Sequence, residues 1–225
     1  MSGFLYIDKP AGITSHDVVD HVRRLSGERT VGHAGTLDPF ATGLLIVGVG
    51  RSATKQLSSL MGSDKAYLGT LVFGATSDTQ DGTGRVEPVS GAVIPTEEQV
   101  RAALPRFMGT IKQVPPMYSA KKIAGKKLYE LARAGQTVKR QPVEITITHF
   151  DPVAFEPPRF TFAVRCSSGT YIRTLAHDLG QTLGCGAYLE SLRRTAIGAV
   201  SVHEATKLED LTKENWSGRL IAVGR

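Results

Sequence analysis

VGHAGTLDPFATGLL, residues 31–45, sets His33, Asp38, Pro39 and three glycines (Gly32, Gly35, Gly43) in one short run. The run opens directly into the apolar segment Leu44 to Val49, which reads as a buried strand. A stretch this rich in Gly and Pro builds little core of its own. It persists when a scaffold holds it, and loops held that way often carry function. Asp38 is the only carboxylate in the loop.

The chain around it is large enough to bury a core. It has 225 residues, 41% of them hydrophobic, so one large domain or a domain with a lobe is expected. No apolar run approaches the roughly 18 residues of a membrane helix. The start, MSGFLYIDKP, has neither a basic region nor an apolar one of the secretory kind. Cys166 and Cys185 form no CxxC pair and no zinc spacing, which fits a reducing cytoplasm and two small buried hydrophobes.

Net charge is +6, and its distribution says more than its size. Between Ser119 and Arg140 stand Lys121, Lys122, Lys126, Lys127, Arg133, Lys139 and Arg140, opposed by Glu130 alone. The rest of the chain is balanced, so all the excess positive charge falls in this segment. Such a patch suits a polyanion, chiefly nucleic acid. A solvated lysine-rich helix suits the same residues equally well.

Working outward along the chain, Phe4 to Ile7 reads as a strand and Asp8 to Gly12 as a turn. Thr14 or Ser15 caps a helix to about Leu25, with Val18, Val22 and Leu25 on one face and Gly27 as its stop. A second helix spans about Ser52 to Met61, with Ala53, Leu57, Leu60 and Met61 on its apolar side. Tyr67 to Phe73 is a strand. Ser77 to Gly84 is a turn-rich loop in which Asp78 and Asp81 read as Asx-turn residues, since the EF-hand calcium spacing is absent. Thr96 to Gln99 is a capping box for a helix that buries Val100, Ala103, Leu104 and Phe107 and bends at Pro105.

Pro115-Pro116 then breaks the chain before the basic segment, which carries a helical stripe of Leu128, Leu131 and Ala132 ended by Gly135. Strands follow at Val143–Phe150 and Arg159–Cys166. A helix bears Ile172, Leu175, Leu179 and Leu183. A second short helix carries Leu189 and Leu192, and Thr195 to Val202 is a last strand before a helical turn at Leu208 to Leu211. The elements lack a strict βαβ rhythm. The pattern predicts an α+β fold with a largely antiparallel sheet.

By residue type, Asp38 has no second acid nearby for paired-carboxylate hydrolysis, and His33 with Asp38 is too thin a set for a metal. Phosphate-binding glycine motifs are absent. Two readings remain: a nucleophile or base kept ionised by a cation elsewhere, or a structural turn aspartate before Pro39.

Five stretches, in order over nearly the whole chain, resemble the TruB family of tRNA pseudouridine synthases. VGHAGTLDPFATGLL resembles the family's signature loop. Lys9 to Ser15 (KPAGITS) resembles its KPxGxTS motif, Lys65-Ala66-Tyr67 its KxY element, Ser168 to Leu175 (SGTYIRTL) its SGTYIR motif, and Leu192 to Thr195 (LRRT) its LxRT stretch. The resemblance implies the pseudouridine synthase fold. It implies an isomerase that converts uridine 55 in the T arm of tRNA to pseudouridine, with no metal and no cofactor.

The resemblance also assigns roles. Asp38 would be the nucleophile, Arg173 its ion-pair partner, and Tyr67 the ring stacked on the extruded uracil. Tyr171 and Leu192 would shape the pocket, His33 would fill the gap left by the flipped base, and Lys9 would support the loop. The segment of about 115–142 would be a thumb-like insertion whose basic residues grip the RNA backbone. The expected state is a cytoplasmic monomer that needs no protein partner and no membrane. Many bacterial members continue into a PUA domain; with the chain stopping at Arg225, the expectation is a catalytic domain over 1–225 without one. The rival readings are a tRNA chaperone without catalysis, a guide-RNA-dependent enzyme acting on ribosomal RNA, and a metal-dependent nuclease using Asp38, Asp78 and Asp81.

Overall fold

The computed structural model describes residues 1–119, 122–123 and 125–223. Two compact units appear: Met1–Leu68 with Leu192–Arg225, and Gly69–Ser191. Strands β4 (Lys65–Phe73) and β12 (Ala187–Ile197) carry the chain from one unit to the other.

The first unit is built on β1 (Gly3–Lys9) and β3 (Thr42–Val49), antiparallel partners in which Lys9 pairs with Gly43 and Gly3 with Val49. The short β2 (Val31–Ala34) adds to the other edge of β3. Beyond it β12 joins β3 in parallel, Arg193 opposite Thr42 and Arg194 opposite Gly43. Strands β13 (Val200–Ser201) and β14 (Thr206–Lys207) pair with β12 and β1. Of the pairings described here, β1–β14 and β3–β12 are parallel.

The apolar run after the signature loop has a physical reason. Strand β3 is covered on both faces, so its two alternating sets of side chains are both apolar. Leu45, Val47 and Val49 pack with Val18, Val19 and Val22 of α1 (Ser15–Ser26). Leu44 and Ile46 pack with Ala53 and Leu57 of α2 (Gly50–Gly62). Helix α1 begins as its sequence predicts: Thr14 accepts from the Asp17 amide, Asp17 accepts from the Thr14 amide, and Gly27 closes the helix in the left-handed conformation. Met61, expected on the apolar side of α2, is exposed, because it stands in the last turn beyond the sheet's cover. Val31 to Ala34, expected as loop, forms a strand, and the loop proper shrinks to 35–41.

The second unit carries the remaining part of β4, then β5 (Ala75–Ser77) and β6 (Val86–Pro88), a small hairpin around the loop 78–85. Helix α3 (Glu97–Ala103) starts at the Thr96 capping box and passes into a 3₁₀ turn, Leu104–Phe107, at Pro105. Strands β7 (Gly109–Gln113), β10 (Val143–Glu156) and β11 (Arg159–Cys166) pair antiparallel, with β10 in the middle. Phe107, Phe150, Phe160 and Phe162 form its aromatic core, Phe150 and Phe162 meeting edge to face at 5.2 Å. In the basic segment β8 (Lys122–Ile123) and β9 (Lys126–Lys127) precede a short α4 (Leu128–Arg133) that buries Leu128. Helix α5 (Ile172–Thr182) completes the unit.

The second short helix expected around Leu189 and Leu192 is instead part of β12. Burial alternates at Ala187 and Leu189, slips, and resumes at Leu192 and Arg194. The slip sets two buried leucines three residues apart, which imitates a helical face. Among the described residues, no helix is long and apolar enough to cross a membrane.

Gly43 is the tightest point of the first unit. Its φ is +101°, and a Cβ there would lie 2.3 Å from the Arg194 carbonyl oxygen. Gly43→Ala should cost about 2 kcal/mol or more in urea unfolding. A loss within experimental error would show that β3 and β12 can separate freely.

Candidate active site

The loop 35–41 has few internal hydrogen bonds, so its backbone groups need donors from elsewhere. Three elements of the first unit supply them. From the end of β1, the Lys9 ammonium donates to the carbonyls of Pro10 (2.9 Å), Ile13 (2.7 Å) and Pro39 (3.2 Å). From the first turn of α1, the Ser15 hydroxyl donates to the Leu37 carbonyl and accepts from the Leu37 amide at 2.9 Å. The Gly12 amide donates to Pro39. From β12, the Arg194 guanidinium donates to Leu44 (2.7 Å), Gly35 (3.0 Å) and Thr36 (3.4 Å). Asp38 stands half-buried in the middle of this loop, and Ala41 donates back to its carbonyl.

Lys9 and Arg194 are both buried, at 0% and 1% exposure. Burial pushes the Lys9 ammonium down from 10.5 to about 8; the negative charge of Asp38 opposes that shift, and Arg194 adds to it. That attraction is mutual, so Lys9 places positive potential at the Asp38 carboxylate. Burial also lowers the Arg194 pKa, opposed by Tyr67, whose hydroxyl accepts a hydrogen bond from the guanidinium. Tyr67 is buried in β4. One guanidinium thus spans the backbone of the 35–41 loop and the phenol of Tyr67.

His33 projects from β2. Burial lowers its pKa from the usual 6.5, with the charges of Arg194 and His16 adding to the effect and a hydrogen bond with the Gly35 backbone opposing it, so the uncharged ring is favoured at neutral pH. Its Nδ1 is buried with no hydrogen-bond partner among the described residues. A flat neutral ring suits stacking on a base. Leu192 is buried on β12, two positions before Arg194. Asp38, Tyr67, His33, Leu192 and Lys9 therefore belong to the first unit.

Arg173 and Tyr171 belong to the second unit, at the start of α5. The Gln113 side chain binds the Tyr171 backbone twice, accepting from its amide at 2.8 Å and donating to its carbonyl at 3.0 Å. Buried Arg173 meets Asp81 at 3.2 Å and donates to the carbonyls of Thr79 (2.9 Å) and Tyr118 (2.7 Å). Asp81 also accepts from the Thr83 amide at 2.9 Å, which is the expected Asx turn. Its pairing with Arg173 is the part that local spacing does not carry. Among the described residues, no three His, Cys, Asp or Glu side chains gather as a metal site.

Sequence reasoning missed two contacts here, the pairing of Asp81 with Arg173 and the burial of Arg194 against the loop. The second had a usable signal. Read as a strand, Leu192 and Arg194 share a face, so a buried leucine implies a buried arginine; the helical reading hid it. In the basic segment, Lys139 is exposed and Arg140 donates to the Pro115 carbonyl. Lys121 lies outside the described residues, and Lys122, Lys126, Lys127 and Arg133 are described by their backbone alone.

Residues 23–172 match the model of the TruB family pseudouridylate synthase N-terminal domain, and residues 173–220 that of the tRNA pseudouridylate synthase B C-terminal domain. The chain belongs to the TruB family. It is 49% identical over 209 residues to the tRNA pseudouridine synthase B of Syntrophotalea carbinolica, covering 93% of this chain and 68% of that protein. With the enzyme of the same name from Opitutus terrae it shares 47% identity, over 99% of this chain and 93% of the relative. Among solved structures it resembles a chain of a Cbf5-Nop10-Gar1 complex (TM-score 0.71, 28% identity, 93% of this chain). It also resembles one of an H/ACA RNP bound to a substrate RNA containing 2′-deoxyuridine (TM-score 0.71, 25% identity, 96% of this chain). It spans 53% and 55% of the length of those two chains. The fold is that of the pseudouridine synthases, with a mixed, mostly antiparallel sheet.

Two measurements test this arrangement. Asp81→Asn removes a buried charge partner of Arg173 and should lower the unfolding free energy by about 3 kcal/mol; no loss in a urea titration would dismiss the pair as structural. Between pH 8 and 10.5 the unfolded chain holds the Lys9 proton more tightly than the folded one. Stability therefore rises with pH across that window and is flat below it. Wild type should gain stability relative to Lys9→Met over this range, and a constant difference would contradict the lowered ammonium pKa.

Proposed function

We propose that this protein isomerises uridine to pseudouridine at position 55 in the T arm of tRNA, with Asp38 as its nucleophile. Family membership supports the reaction. The observation that carries the assignment is that two buried cations and a buried tyrosine converge on the backbone and field of the Asp38 loop. A turn aspartate with no chemical task has no need of such a surround.

In this reading the target base is flipped out of the RNA into the site. The N1–C1′ bond breaks, the uracil turns while held, and a C5–C1′ bond forms. C5 gives up its proton and N1 takes one, so the product is an isomer and the balance requires no cofactor or metal. Asp38 acts at the reacting nucleoside. Tyr67 stacks on the uracil, while Tyr171 and Leu192 form pocket walls. Arg173 is the cation contributed by α5, placed by its bonds to Asp81, Thr79 and Tyr118. His33 takes the place of the flipped base, a role its flat, uncharged ring supports. Lys9 keeps the loop in place. The insertion of about 115–142, with Lys121, Lys122, Lys126, Lys127, Arg133, Lys139 and Arg140, contacts the RNA backbone, where recognition is by shape and charge. The enzyme acts as a cytoplasmic monomer without a protein partner.

The test is to incubate purified protein and a chelator with an unmodified tRNA transcript and to map pseudouridine. Wild type should convert uridine 55, and Asp38→Asn should fall by at least about a thousand-fold while still binding tRNA. Turnover by the Asn variant near the wild-type rate would remove Asp38 from the chemistry. Binding and refolding by wild type with no pseudouridine would make the protein a chaperone.

A further inference from the structure

One residue of the loop 78–85 is strained. Gln80 has a φ of +64°, a left-handed conformation that no other non-glycine residue adopts among the described residues. A glycine takes that dihedral freely. A long side chain takes it at a cost, and persists there when its surroundings fix it, as happens most often at functional sites.

The Gln80 backbone is fixed on two sides. Its amide donates to the Ser77 carbonyl and its carbonyl accepts from the Leu189 amide of β12, both at 3.0 Å. Gly82 donates to the Leu189 carbonyl at 2.9 Å. These bonds would serve a glycine equally well. What the glutamine adds is its side-chain oxygen, which accepts from the Thr174 hydroxyl at 2.8 Å. Thr174 is buried and directly follows Arg173 in the first turn of α5.

The turn at Gln80 bears on Arg173. One nitrogen of that guanidinium, Nη1, meets both the Thr79 carbonyl at 2.9 Å and the Asp81 carboxylate at 3.2 Å. Gln80 stands between these two acceptors, and its φ and ψ are the soft dihedrals that set one against the other. With Gln80 left-handed, both reach the same nitrogen. The bond to Thr174 then ties this turn to the helix that carries the guanidinium. On the other side of Arg173, Gln113 holds the Tyr171 backbone through two hydrogen bonds. Two amide side chains thus bracket Arg173, one at residue 171 and one at residue 174. A long, flexible cation keeps a productive geometry only when its supporting groups are locked in this way.

We propose that Gln80 is a positioning residue for the reaction: through its bond to Thr174 it keeps the Thr79 and Asp81 acceptors in register with the Arg173 guanidinium. This rests on the reading of Arg173 as a cation of the isomerase site. The ion pair itself requires Asp81; its placement on α5 requires Gln80.

The experiment removes the bond from each end. Thr174→Val keeps the shape and deletes the donor, Gln80→Gly keeps the left-handed turn and deletes the acceptor, and Thr174→Ser retains a donor. With an unmodified tRNA transcript as substrate, Thr174→Val and Gln80→Gly should each lower kcat about tenfold while KM stays within about twofold. Thr174→Ser should stay near wild type, and Gln80→Gly/Thr174→Val should be no slower than the slower single variant, because one interaction is lost in both. In the free protein carrying isotope-labelled arginine, the Arg173 guanidinium protons should exchange with water about threefold faster or more in each single variant. Wild-type kcat and exchange in both single variants overturn the proposal. So does faster exchange with unchanged kcat, which makes the contact structural only, and so does a change confined to KM. If wild type forms no pseudouridine, the isomerase reading fails, and proton exchange still decides whether Gln80 holds Arg173.

Discussion

A guanidinium enclosed in the interior of the first unit is the constraint on which the site depends. Arg194 is almost wholly buried, and the partners it meets there are the carbonyls of Gly35, Thr36 and Leu44 and the hydroxyl of Tyr67. Burying such a charge is expensive unless its donors are used. Here they are used on backbone carbonyls that a Gly- and Pro-rich loop leaves without sheet or helix partners. Two needs cancel: the loop lacks donors, and the cation needs acceptors. Lys9 repeats the arrangement from the end of β1, with three carbonyls on one ammonium. The position of Asp38 is consequently set by side chains rooted in two strands and by Ser15 on a helix, rather than by the loop itself.

This division explains what was legible in the sequence. Local chemistry showed plainly. A cap at Thr14, the Thr96 capping box, the Gly27 stop and the buried strand after the loop are all present as read. Each of these depends on residues within a few positions of one another. Non-local chemistry did not show. Arg194 reaches across some 150 positions to Leu44, and Arg173 across 94 to Thr79. No spacing rule connects such partners. Where a local rule failed, at Leu189 and Leu192, a slip in strand alternation had imitated helical spacing. That failure also concealed the parity that places Arg194 inward. The five stretches that resemble the TruB family located the site because a family likeness already includes the long-range contacts.

Formal net charge is similarly a poor measure of what a polyanion meets. The cations of the first unit fall into different environments. Lys9 and Arg194 are interior, and serve the loop's backbone. Arg193 is held by Asp8 through two hydrogen bonds, 2.6 and 3.0 Å. Arg23 is taken up by Asp20 and the Val31 carbonyl. Arg24, Arg29, Arg51, Lys55 and Arg219 are exposed, with no carboxylate paired to them among the described residues. The unit holds 13 basic residues against 10 acidic ones. That sum misjudges its surface, because a buried or paired charge contributes little field beyond its own partners, and only exposed, unpaired cations have counterions to release to a polyanion. The cations that organise the 35–41 loop and those that face solvent are thus different residues, although composition counts them together.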